Sequence, residues 1–337
     1  MSPLLSVRDL SVTFSVSRPG DLPWTRPRGL HAVNGVDFDL EPGRTLGVVG
    51  ESGCGKSTLA RSLIRMVPAT GRAMWRGETE LLSLSAARMK RYRSEIQMVF
   101  QDPLASLDPR MTLGQIIAEP LRTHRPDLSG AERRTRVAAM MERVGLLPQM
   151  INRYPHEFSG GQCQRIGIAR ALVVEPKLLI CDEPVSALDV SIQAQVVELL
   201  QELQREMGLA MIFIAHDLSV VKHISDEVMV LYLGRVMEAA PKRDLYAAPQ
   251  HPYTQALMSA VPIPDPVAER TKAIIPLKGD LPSPMDPPSG CVFRTRCARA
   301  QGDCAEVMPD PGAGAHRIAC LHPGPVRDSE RAESADA

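Results

Sequence analysis

The sequence predicts an α/β protein built on a largely parallel sheet, with a small cysteine-bearing module near its carboxyl end. Three observations predict it. Short apolar runs suited to buried strands alternate with amphipathic helical stretches, the order that produces parallel sheets. A glycine-rich turn, Gly50-Glu51-Ser52-Gly53-Cys54-Gly55, stands between one such run and a helix. Past Val261 the chain turns proline-rich, and four of its seven cysteines follow.

Taken in order, Leu5 to Phe14 and Ala32 to Leu40 alternate apolar and polar side chains, as half-buried strands do. Pro19, Gly20, Pro23, Pro27 and Gly29 mark a loop between them. Thr45 to Val49 is a short apolar run fit for burial on both faces. The glycine-rich turn follows, then a helix from Ser57 to about Met66. Residues 72–100 predict a small β excursion and a basic helix, returning to a strand over Ile96 to Phe100. Residues 112–145 predict helices with Met140, Met141 and Val144 on one face. Another helix begins after Ser159, a good N-cap.

Lys177 to Cys181 predicts a buried strand, Ser191 to Met207 an amphipathic helix, and Leu209 to Ala215 a second buried strand. Val228 to Leu233 and Arg235 to Ala239 suggest a hairpin about Gly234. The main domain is expected over residues 1–260, a linker over 262–288, a four-cysteine module within 261–325, and a disordered tail over 326–337.

Composition narrows the function classes. The chain has 337 residues, 39 basic and 39 acidic, so no global basic field favours nucleic acid. No apolar run approaches the roughly 20 residues that span a bilayer. The amino end lacks a basic region followed by a long apolar core, so a cytosolic chain is expected.

The chemistry sits in ordered motifs. Gly50 to Ser57 fits the pattern of two glycines with four residues between them followed by Lys-Ser, with a strand before and a helix after. Such a loop turns backbone N–H groups onto phosphate oxygens, and the helix N-terminus adds partial positive charge. Lys56 is expected to reach the β and γ phosphates of a nucleotide and Ser57 to ligate Mg²⁺. Asp182 ends an apolar strand, where a carboxylate can hold the hydration shell of magnesium, and Glu183 beside it can orient water or take its proton. Ser159-Gly160-Gly161-Gln162 offers a second anion site at a helix N-terminus, although the segment alone fits an N-cap and turn equally well.

Together these motifs resemble the nucleotide-binding subunit of an ATP-binding cassette (ABC) transporter. The resemblance implies a P-loop fold with a RecA-like parallel core, an antiparallel β subdomain and a helical subdomain over about 102–175. It implies that Gly50 to Thr58 binds ATP and that Ser159 to Gln162 faces the γ-phosphate held by an opposite subunit. By the same resemblance, Gln101 touches Mg²⁺ and senses a membrane subunit, Asp189 lies in a loop crossing the dimer interface, and His216 contacts the γ-phosphate. Phe158 replaces the usual leucine before the signature. Phe14 is the choice for stacking on adenine, with Trp24 and His31 as rivals.

Three longer matches narrow the branch: Gly50 to Thr58, Phe100 to Arg110, and Cys181 to Ser191. With His251-Pro252-Tyr253-Thr254, the proline linker and the cysteine module, they resemble oligopeptide/dipeptide importers over nearly all of residues 5–325. The resemblance implies a second ATPase subunit, two permease subunits, an extracytoplasmic binding protein and a place on the cytoplasmic face of the membrane. Nickel and glutathione importers share the branch. A soluble, non-transport ABC ATPase is the rival of a different class, but those commonly carry two cassettes or an inserted coiled coil.

Cys291, Cys297, Cys304 and Cys320 are spaced by five, six and fifteen residues, unlike the close pairs of a zinc ribbon. Four thiolates suit either a [4Fe–4S] cluster or zinc, with reduced thiols or a disulfide as the plain alternatives. The branch includes members with an iron–sulfur cluster, which places iron first. His316 and His322 are candidate substitutes for one ligand, and the bound metal is expected to stabilise the module and to stay remote from ATP.

Overall fold

The two amino-terminal strands run further than their alternation suggests. β1 (Leu5–Val16) and β2 (Arg28–Leu40) pair antiparallel from Leu5 opposite Leu40 to Val16 opposite Arg28, so the expected loop is shortened from both sides. The computed structural model describes residues 2–17, 28–262, 265–272 and 274–326. The expected disordered tail, apart from residue 326, lies outside them, as does Trp24.

β3 (Thr45–Val49) is buried along its whole length and leads through the glycine-rich turn into α1 (Lys56–Leu63). β4 (Thr70–Trp75), β5 (Thr79–Glu80) and the basic helix α2 (Ala86–Arg93) form the expected excursion, and β6 (Ile96–Val99) returns to the core. The helical stretch divides into α3 (Leu113–His124) and α4 (Gly130–Arg143). Each starts with a capping box, Thr112 with Gln115 and Ser129 with Glu132, which satisfies helix N–H groups reciprocally. Val144 caps α4 and stays buried with Met140 and Met141.

α5 (Gly160–Leu172), β7 (Leu178–Asp182), α6 (Val190–Met207), β8 (Ala210–Ala215) and α7 (Leu218–Ile224) complete the alternation. β9 (Glu227–Tyr232) and β10 (Arg235–Pro241) form the hairpin, whose turn residues Leu233 and Gly234 both have positive φ (45° and 76°). Two such residues match the right-handed twist of the flanking strands. α8 (Lys242–Ala247) and α9 (Pro252–Ser259) follow.

Among the described residues the strands form two sheets. One is antiparallel, in the order β2-β1-β4-β5. The other runs β11-β10-β9-β3-β8-β7-β6, and its stretch from β9 to β6 is parallel. β11 (Arg317–Ile318), two residues from the cysteine region, pairs with β10 and so extends the main sheet. Nor is the proline-rich segment a free spacer. It contains α10 (Pro266–Thr271), and Leu277 and Leu281 pack on the main core. No described helix is long and apolar enough to cross a membrane.

Candidate functional site

Glycine is required where the turn passes other backbone. At Gly50 (φ 153°) a Cβ would stand 2.2 Å from the Leu231 carbonyl oxygen, and at Gly55 (φ 105°) 2.1 Å from that of Ala32. Both approaches admit no side chain. The turn delivers α1 with Lys56 at its start, one residue earlier than expected. The Lys56 side chain is 3% exposed. Its ammonium donates to the carbonyls of Gly50 (2.7 Å) and Glu51 (3.0 Å) and lies 3.6 Å from Glu183 Oε1. A phosphate can compete for these donors, since charged oxygens make the stronger partners.

β7 and α1 bring together the groups suited to a divalent cation. Ser57 Oγ donates to Asp182 Oδ1 at 2.6 Å. Asp182 is fully buried, and burial pushes its carboxyl pKa up while the Ser57 hydroxyl pulls it down. Its Oδ2 has no hydrogen-bond partner among the described residues, with Arg61 3.7 Å away. An orphaned buried carboxylate oxygen beside a serine hydroxyl fits hydrated Mg²⁺. Glu183, next in the chain, holds φ 47°, a strained value for a side chain other than glycine. Its N–H donates to Ile214 O (3.1 Å), and its Oε2 accepts from Gln101 Nε2 (3.0 Å). The carboxylate is thus aimed from both sides.

These groups open onto a cleft of about 450 Å³. Ser52, Gly53, Gly55, Lys56, Ser57 and Thr58 form its floor, with Gln101 and Glu183 at one side. Phe14, 36% exposed, lines it from β1, and Leu30 and His31 from β2. His31 Nδ1 is hydrogen-bonded to Thr13 Oγ1 (3.1 Å), which leaves Phe14 the freer ring. Arg61, Leu233 and Gly234 also line the cleft, although no motif marked them.

The remaining predicted residues lie elsewhere. Ser159 and Gly160 are exposed at the start of α5. Ser159 Oγ accepts from the Gln162 N–H, and Gln162 Oε1 accepts from the Ser159 N–H (3.0 Å). The signature is therefore also a capping box, readable from its Ser-x-x-Gln spacing. Asp189 is exposed at the N-cap of α6, next to Val190 at 82% exposure. His216 directly follows β8, exposed and outside the cleft lining. A glycine-rich loop, a buried carboxylate and a glutamate are thus brought together, while the exposed Ser159 and Gly160 lie outside the cleft lining.

Comparison with known proteins accounts for this arrangement. The family described as ABC transporter matches residues 33–186, and the one described as oligopeptide/dipeptide transporter, C-terminal region, matches 237–304. The oligopeptide transport ATP-binding protein OppF of Salmonella typhimurium is 62% identical over 325 residues, 96% of this chain and 97% of that protein. Its namesake in Haemophilus influenzae is 61% identical over 321 residues, 94% and 96% of the two chains.

This chain belongs to the ABC transporter ATPases.

Solved cassettes share the fold. CbiO1 from Clostridium perfringens, part of a CbiONQ transporter complex, aligns with TM-score 0.62 at 29% identity, over 73% of this chain and 92% of that one. The cassette MJ0796, solved as a dimer in a post-hydrolysis state with ADP and Pi, aligns with TM-score 0.62 at 26% identity, over 71% and 99%.

In this ABC ATPase the carboxyl-terminal region reaches the cleft and its glycine-rich loop. Pro284 lines the cleft, Tyr253 Oη accepts the Glu51 N–H (2.9 Å), and Arg296 binds the Glu51 carboxylate. The His-Pro-Tyr-Thr motif explains part of this. His251 caps α9, its Nδ1 accepting the Tyr253 N–H (3.0 Å), and Tyr253 packs against Tyr232 and Phe293. Phe293, between two of the cysteines, belongs to the main core.

All seven cysteines are free thiols. Burial raises the pKa of Cys291, Cys297 and Cys320; Cys297 is pushed up to about 11, with Cys320, Cys291 and Cys304 each adding to it. Backbone N–H groups two residues on, from Phe293, Arg299 and His322, face Cys291, Cys297 and Cys320. Such donors favour thiolate charge and oppose the burial that raises these three pKa values. His322 stands with Cys304 and Asp303, ligand atoms within 4.8 Å of one another, whereas His316 is engaged by the buried Glu238 (2.7 Å).

His251 also sets a pH dependence. It is 1% exposed, and burial pushes its pKa from 6.5 down to about 3, with Arg299 adding to the shift and the Ala319 backbone opposing it. The unfolded chain therefore binds the proton first. The contribution to stability is full above about pH 6.5 and falls by about 1.4 kcal/mol per pH unit as the pH drops toward 3. Urea melts between pH 7 and about pH 4 are expected to show this slope and to show it reduced in His251→Asn. Parallel curves would place the acid sensitivity elsewhere.

Proposed function

We propose that this chain is the ATPase subunit of an oligopeptide importer, docked peripherally on the cytoplasmic face of the membrane. Two permease subunits, a second cassette and an extracytoplasmic binding protein complete the machine. The observation that carries the substrate class is the 62% identity with an oligopeptide transport ATPase across 96% of the chain, carboxyl region included. A cleft of about 630 Å³ between the parallel core and the helical part, lined by Phe100, Gln101, Glu119 and Arg170, suits a permease segment beside Gln101.

In this reading the phosphate loop, Gly50 to Thr58, and Lys56 within it bind ATP, and Phe14 stacks on adenine. Ser57, Gln101 and Asp182 hold Mg²⁺, whose charge offsets that developing on the phosphates. Glu183 orients the attacking water, and His216 approaches the γ-phosphate on closure. Ser159 to Gln162 and Asp189 serve the ATP of the opposite subunit, which accounts for their exposure. Residues 1–260 act as the cassette and 261–325 as an appended unit. Cys291, Cys297, Cys304 and Cys320 bind a [4Fe–4S] cluster that staples this unit.

One purification tests both parts. Taken anaerobically from membranes, the chain is expected to bring two permeases and a second cassette, and to be brown with about four iron atoms. Recovery with soluble partners alone would overturn the importer, and a colourless, metal-free chain the cluster. Zinc would keep the site and change the metal.

A further inference from the structure

Glu51 is the second residue of the phosphate loop, yet its side chain does not line the cleft. It is turned onto Arg296, 245 residues later, whose Nη1 donates to Oε2 (2.5 Å) and Nη2 to Oε1 (3.1 Å). This is a two-pronged fork, the strongest and most directional form of the pair. The Arg296 side chain is 7% exposed, with its guanidinium 6.0 Å from the centre of the Tyr232 ring. The Glu51 backbone is restrained as well: its N–H donates to Tyr253 Oη and its carbonyl accepts from Lys56.

A carboxylate in a loop that cradles a polyanion is an electrostatic problem. Uncompensated, it repels the phosphates and competes for Lys56, 3.0 Å from the same residue's carbonyl. The arginine removes both effects, by cancelling the charge and holding it out of the cleft lining. Arg296 falls within the stretch matching the oligopeptide/dipeptide transporter C-terminal region, outside the 33–186 match to the cassette itself.

We propose that Arg296 is a positioning residue for nucleotide binding. Acting through Glu51, it sets the affinity of the phosphate loop for MgATP. The carboxyl-terminal region thus completes the nucleotide site, whether or not its cysteines carry metal. The inference rests on the nucleotide site and is independent of the transported substrate.

The test is titration of the full-length chain with trinitrophenyl-ATP and Mg²⁺. Arg296→Met is expected to weaken binding about tenfold. Adding Glu51→Gln, which removes the stranded charge, is expected to restore affinity to within about threefold of wild type, although the fork stays broken. An arginine that merely docked the carboxyl region would not be rescued this way. Wild-type affinity in Arg296→Met, or a double variant as weak as the single, would overturn the proposal. If the methionine variant is insoluble, Arg296→Lys carries the test. It keeps charge and stem but loses the fork, and a several-fold loss that Glu51→Gln reverses is expected; no loss, or no reversal, would overturn it.

Discussion

Glu183→Gln is expected to lower steady-state ATP turnover at least ~10²-fold while leaving ATP bound. The amide has the shape of the carboxylate, so the left-handed backbone at φ 47° and the contact with Gln101 can persist. What disappears is the negative charge that, in the proposed role of Glu183, aligns water and accepts its proton. Loss of the 3.6 Å attraction to Lys56 also frees that ammonium for phosphate, so affinity is expected to hold or rise. Phosphate release and size-exclusion chromatography with ATP check both halves, the closed dimer accumulating in the variant. Near-normal turnover would assign the base to another residue.

Gly160→Asp is expected to abolish hydrolysis in a homodimer, by ~10²-fold or more, while one chain alone binds ATP nearly as before. The structure makes this a clean test. A Cβ at Gly160 would meet Leu188 Cδ2 at 3.6 Å, ordinary contact, and the backbone there is not left-handed. An aspartate in the first turn of α5 favours the helix dipole, so the fold has no reason to suffer. On the proposed arrangement, the penalty falls only where the new carboxylate meets the γ-phosphate of an opposing subunit in a dry interface. At the next position the same experiment would be confounded, since a Cβ on Gly161 would stand 2.6 Å from Ile192 Cγ2. Fluorescence titration of single chains, set beside turnover of the dimer, gives the comparison. Equal losses in both would mean that the signature acts within its own subunit.

The parts of this protein legible in its sequence are those fixed by near neighbours or by burial on both faces. β3, β7 and β8 are readable because strands inside a parallel sheet are buried on both faces and read as short, nearly continuous apolar runs. The phosphate loop is readable because its glycines, lysine and serine act within eight residues of one another. The signature's second role as a capping box was equally local, and its spacing announced it.

The sequence by itself determined the order of local motifs: a glycine-rich loop ending in Lys56 and Ser57, a Ser-Gly-Gly-Gln turn, and an apolar strand ending in Asp182 and Glu183. Tertiary structure decided how the far end of the chain is used. Two residues at Arg317 and Ile318 carry no strand signal and become β11 only because β10 offers an open edge. Leu277, Leu281 and Pro284 read as linker, but packing returns them to the core and the cleft. The fork between Arg296 and Glu51 has no periodicity to reveal it, because 245 residues separate its ends and only closure of the fold makes them neighbours. Local patterns record what a residue needs from adjacent backbone; a contact that forms only when distant segments share a core leaves no such trace.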